Sequence, residues 1–263
     1  MMNTKNLNDL KDTLKYQGFG EQLSSDLEKA VTKGEKTFTL EATHIHDLPI
    51  SKADDPLTRD KVSYELSFKQ GKNEQYYFNS YQAKLESPQF KDRQQTFYLD
   101  MGRTYTAKEA YNLLSGRSVY KSLQNKEGQR YNAFVQLDFK GEQKANGNYP
   151  LKSYHENYGF RLSQTIAELP IKFSSLEERD RLIKSLEKGN LQKVQLTDGQ
   201  TLFAKTVPAT RSLKFYDDKL QPTQVSALKG PEMAAKTEPV PAISLDPSPE
   251  TKAAAGKKKG VKL

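Results

Sequence analysis

Residues 115–160 read SGRSVYKSLQNKEGQRYNAFVQLDFKGEQKANGNYPLKSYHENYGF. Within this stretch Tyr131, Ala133, Val135, Leu137 and Phe139 recur at every second position, the period of a half-buried antiparallel strand. Glycine turns bound it on both sides, at Gly128 and Gly141. The same period links Val62, Tyr64, Leu66 and Phe68 upstream. Downstream, Asp198-Gly199 separates two short apolar runs, Val194–Leu196 and Thr201–Ala204, and predicts a hairpin.

Helices surround these strands. Leu7, Leu10 and Leu14 share one helical face; Leu23, Leu27 and Val31 share another, with Gly34 placed as its stop. Thr106 with Glu109 forms a capping box ahead of Ala110, Leu113 and Leu114, and Ser175 with Glu178 repeats the device ahead of Leu182, Ile183 and Leu186. Helices grouped around runs of strands, without regular alternation, predict an α+β fold. Gln17-Gly18-Phe19 followed by a helix, Lys33-Gly34 and Thr37–Leu40 parallels Tyr158-Gly159-Phe160 followed by helices, Lys188-Gly189 and Lys193–Leu196. We therefore expect two small, related helix-plus-antiparallel-strand units, 1–101 and 102–218, the second carrying the 115–160 segment. Residues 219–263 hold six of the twelve prolines, end in Lys257-Lys258-Lys259, and read as a disordered basic tail.

The segment from Gly116-Arg117 through Lys126-Glu127-Gly128 and Gln136-Leu137-Asp138-Phe139 to Tyr158-Gly159-Phe160 resembles the signature of a domain of unknown function carried by conjugative and other mobile elements of Bacteroidetes. The likeness extends to Lys15–Gly20, Gln95–Tyr98 and Lys108–Leu114. It implies a mobile-element setting and no mechanism.

Composition narrows the chemistry. With no cysteine the chain has no disulfide and no thiolate metal ligand, and with three histidines a metal site would lean on carboxylates. No apolar run approaches the ~20 residues of a membrane span, and the charged start lacks a signal peptide's apolar stretch, so the expected location is cytoplasmic with no membrane partner. Phosphate-loop, nucleophile-elbow, His-Glu-x-x-His and dinucleotide signatures are absent, and no cofactor is expected.

The formal charge of +8 is uneven: −2 over 1–101, +5 over 102–161, +2 over 162–220 and +3 over 221–263. A basic segment interleaved with aromatics can meet phosphates with its cations and unpaired bases with its rings. Arg117, Lys121, Lys126, Arg130 and Phe134 are the expected nucleic-acid contacts. The leading expectation is a non-enzymatic accessory protein that binds DNA, RNA or a nucleoprotein complex. The alternative is an adaptor or host-defence inhibitor that binds an element-encoded or host protein. A third reading starts from His44-Ile45-His46, whose imidazoles share one side of an extended strand and resemble the paired histidines of relaxase nickases. Tyr111 would be its nucleophile and His155 or Asp47 a third ligand. Sequence sets no oligomeric state.

Overall fold

The computed structural model describes residues 4–49, 58–99, 104–125 and 127–225, and the backbone of 243–244. Lys126 and residues 226–242 and 245–263 of the expected tail lie outside the described residues. The fold is α+β, with three four-stranded antiparallel sheets.

The first layer is helix on sheet. Helices α1 (Thr4–Tyr16) and α2 (Ser24–Lys33) lay Leu7, Leu10, Leu14, Leu23 and Leu27 on one face of a meander of β1 (Thr37–Asp47), β2 (Arg59–Gln70), β3 (Tyr76–Ser87) and β4 (Phe90–Tyr98). The residues spaced by two in β2 are buried as expected. Phe19 fills the centre, edge-on to Tyr64 at 5.3 Å and to Tyr81 at 5.2 Å between ring centroids. Burying these tyrosines requires partners for their hydroxyls. Tyr64 Oη donates to the Ala107 carbonyl at 2.9 Å and Tyr81 Oη to that of Tyr105 at 2.6 Å. Both bonds moor the start of α3 (Ala107–Leu114) to the sheet.

The predicted capping box opens α3. Thr106 Oγ1 accepts from the Glu109 N–H, and Glu109 Oε2 accepts from the Thr106 N–H. The central sheet follows: β5 (Val119–Gln124), β6 (Arg130–Leu137) and β7 (Leu151–His155), extended by a two-residue strand at Ile243–Ser244 that pairs with β7. The third layer consists of α4 (Leu162–Ala167), α5 (Leu176–Glu187) and a second meander, β8 (Gln192–Gln195), β9 (Thr201–Val207), β10 (Ser212–Tyr216) and β11 (Pro222–Thr223). The paired strands at Pro222–Thr223 and Ile243–Ser244 fall inside the stretch expected to be disordered.

Both faces of the central sheet are covered. Val119, Leu123, Ala133, Val135 and Leu137 face the first core, together with α1–α3 and the first sheet. Phe134 and Tyr154 face a second core formed with α4, α5 and the third sheet. The division expected at 101/102 therefore does not match the packing, because Tyr105 to Leu137 contribute to the same core as Leu7. The internal parallel does have a counterpart. Left-handed Gly18 and Gly159 each precede a buried phenylalanine, Phe19 and Phe160. Each pair leads into helix, left-handed glycine (Gly34, Gly189) and a four-stranded meander.

Between the layers, Asn112 is fully buried and donates to the Lys188 carbonyl at 2.6 Å and to Asn190 Oδ1 at 2.9 Å. Ser118 Oγ lies 2.7 Å from Thr206 Oγ1. Gly189, at φ 80°, sits so close that a Cβ would lie 2.7 Å from the Ser118 carbonyl oxygen. Among the described residues no helix is long and apolar enough to cross a membrane.

Candidate nucleic-acid interface

The expected contact residues do not converge. Phe134 is 4% exposed and packs 5.0 Å from the Tyr120 ring and 5.2 Å from Phe160, so it is a core residue and not a stacking platform. The physical reason is the cover on both sheet faces. Lys121 Nζ lies 3.0 Å from each carboxylate oxygen of Glu109, with the two side chains only 20% and 13% exposed. Its charge is already matched. Arg130 is exposed at the start of β6, opposite Gln124, whereas Arg117 precedes β5 at the other end of this hairpin. The two are thus separated by about 20 Å of strand. Lys126 is outside the described residues.

Arg117 is different. Its Nε and Nη2 donate to Asn112 Oδ1 at 3.2 and 2.8 Å, and its guanidinium lies 4.7 Å from the Tyr111 ring centroid. Asn112 and Tyr111 fix the group without neutralising it.

The histidine pair lands beside Tyr111. His46 stacks on the Tyr111 ring at 3.8 Å, and Lys108 Nζ is 3.4 Å from His46 Nδ1. Burial, then Lys108, pushes the imidazole down to about 3, so it is neutral at pH 7. Tyr111 Oη donates to Asp60 Oδ2 at 2.9 Å; Asp60 is 1% exposed. Of the proposed third ligands, Asp47 accepts from Arg59 Nε at 2.8 Å and His155 stacks on Tyr131 at 4.5 Å. Among the described residues no trio of histidine and carboxylate groups is placed to hold a metal ion. The cation of Lys108 also sits where a second cation would meet His46.

The basic and aromatic groups that do share a surface lie elsewhere, on the outer face of the third sheet. Strand register sets one row across it, Lys193 opposite Phe203, Phe203 opposite Tyr216 and Tyr216 opposite Pro222. One step along, Lys205 is opposite Lys214. The other face of these strands carries Val194, Leu202, Ala204, Leu213 and Phe215 into the second core. Phe203 and Tyr216 are half-buried and belong to neither core. Both lysine Nζ atoms lie 5.5 Å from the Tyr216 ring centroid. Among the described residues none of Lys193, Lys205, Lys214 and Arg117 has a carboxylate within ion-pair distance. Burial, and then the charges of Arg117, Lys214 and Arg93, lower Lys205 to about 8.

Sequence reading passed over this face although its alternation is visible in Phe203-Ala204-Lys205 and Lys214-Phe215-Tyr216. What those runs lack is the cross-strand register that puts two rings and three lysines side by side. Comparison with known proteins adds no relative: no family model, no curated protein and no solved structure matches the chain.

Proposed function

We propose that the protein binds single-stranded nucleic acid on the outer face of its third sheet, as a non-enzymatic accessory factor in the mobile-element setting that the 115–160 signature resembles. The observation that carries this reading is the adjacent placement of Phe203 and Tyr216 outside both cores, flanked by Lys193, Lys205 and Lys214, which have no acidic partners among the described residues. Neighbouring strands are about 4.8 Å apart, so the two rings offer successive stacking surfaces. Each stacked base contributes about 1–3 kcal/mol, and the lysines meet the phosphates between them. Neither interaction reads base identity, so the expected preference is for single strands over a particular sequence.

Photo-crosslinking tests the location. A single strand substituted with bromodeoxyuridine should crosslink to Phe203 or Tyr216, as read by mass spectrometry of the digested protein. Crosslinks confined to the Arg130 end of the central hairpin would move the surface back to the segment expected from sequence. If the strand neither binds nor crosslinks, the adaptor reading takes its place.

A further inference from the structure

A cleft of about 320 Å³ opens beside this face, between the first and third sheets. It is lined by Arg117 and Ser115 after α3, by Lys205 and Tyr216 of the third sheet, by Asp60 of β2, and by the turn carrying Lys219. We propose that this cleft is a binding site for a phosphorylated sugar end, a phosphomonoester with a neighbouring hydroxyl, as presented by a 5′-phosphorylated strand or a nucleoside monophosphate. The strand-end version of this inference rests on the single-strand reading above; the cleft's own chemistry does not.

Three observations specify that ligand class. First, two cations meet in the cleft, Arg117 and Lys205, with no carboxylate in ion-pair distance among the described residues, and Arg117 is held in place by Asn112 and by the Tyr111 ring. A pair of cations matches the double charge of a monoester better than the single charge of an internal phosphodiester, and guanidinium geometry suits phosphate oxygens. Second, Asp60 presents one carboxylate oxygen already engaged by Tyr111 and a second, Oδ1, that is buried with no hydrogen-bond partner. A buried acceptor left without a donor is costly, and a ligand hydroxyl supplies the donor. Third, the turn that forms one wall is set by its own bonds: Asp217 Oδ1 accepts from the N–H groups of Lys219 and Gln221 at 2.9 and 2.8 Å. Asp217 Oδ1 is thereby engaged within the turn, while Lys219 remains exposed at the rim.

The charged and titratable groups around Lys205 also set a pH dependence. Arg117, Arg93 and Lys214 favour its neutral form, as does burial; Lys219, Tyr216 and Asp60 are the remaining such groups lining the cleft. With the phosphomonoester fully charged above pH 7, the affinity should fall as pH rises through about 8 and Lys205 loses its proton. Lys205→Arg, which stays charged, should bind with no such fall.

The experiment is calorimetric titration of the full chain with a nucleoside monophosphate and with the matching unphosphorylated nucleoside. It is paired with titration of one oligonucleotide carrying either a 5′-phosphate or a 5′-hydroxyl. Expected are binding of the monophosphate and not of the nucleoside, and tighter binding of the phosphorylated strand. Lys205→Met, which removes the charge while keeping a side chain of similar length, should weaken the monophosphate about 10-fold or more. Arg117→Lys provides a second variant that retains charge while losing the paired donors, and should weaken it by a smaller factor. Equal binding of the two strand ends, together with no monophosphate binding, overturns the cleft proposal and leaves the sheet reading standing. Monophosphate binding that depends on Lys205, with no affinity for any strand, supports the cleft and overturns the sheet reading. Monophosphate binding unchanged in both variants overturns the assignment of Arg117 and Lys205.

Discussion

Phe134 and Phe203 both sit on β-strands near basic residues, and their surroundings give them opposite roles. Phe134 packs against Tyr120 and Phe160 in a closed core, whereas Phe203 belongs to neither core. Phe134→Ala should therefore cost about 3–5 kcal/mol of stability. Phe203→Ala should cost about 1 kcal/mol or less. Chemical denaturation of the two variants checks this contrast. His46 makes a separate prediction at this scale. Its folded value of about 3 lies below that of an exposed imidazole, so the unfolded chain binds the extra proton first as pH falls. The stabilisation is complete above about pH 6.5 and is lost progressively toward pH 3, about 5 kcal/mol at most and less where solvent screens the partly exposed ring. His46→Gln should flatten that part of the stability profile measured by urea denaturation. An unchanged slope would show that His46 is not held neutral by its burial against Tyr111 and Lys108.

At the scale of elements, the features that depend on neighbours along the chain were legible in the sequence. The faces of α1 and α2, the Thr106–Glu109 box, the Asp198-Gly199 hairpin and the β2 alternation all follow from local spacing. Gly189 shows what spacing leaves out. Its role as a helix stop could be read from its position after Leu186, but its closeness to the Ser118 carbonyl depends on how α5 meets the central sheet. Gly189→Ala combines a left-handed backbone with a contact of 2.7 Å against backbone, so relief requires the helix end to move. The expected loss is about 2–5 kcal/mol. Gly34→Ala, where no atom lies within 4 Å of the added Cβ, should cost only about 1–2 kcal/mol. Similar losses in the two variants, measured by thermal unfolding, would contradict the tight junction.

For the whole molecule, the partition of strands between two cores decides which aromatics are left outside a core. Sequence alternation cannot say whether a strand's second face is covered, and here α4, α5 and the third sheet cover that of the central sheet. The same distant pairings assemble the face of Lys193, Phe203, Lys205, Lys214 and Tyr216, and bring Asp60, Arg117 and Lys205 to one cleft. Among the described residues expected from sequence as contacts, Arg117 alone lines this cleft. Its charge was visible in the sequence; the partners that hold it were not.

Binding of single strands by stacking and phosphate contact on this outer face is open to direct test. The direct measurement is fluorescence anisotropy of a single-stranded oligothymidylate titrated with wild type, Phe203→Ala and Lys214→Ala over a range of salt. Three lysine contacts predict a salt slope of about −2 for wild type, and Lys214→Ala should reduce its magnitude by about 0.7. Phe203→Ala should weaken binding by about 5- to 100-fold, with the wild-type slope retained. Wild-type binding that is unchanged in both variants, or no binding by a folded wild type at low salt, would contradict the claim.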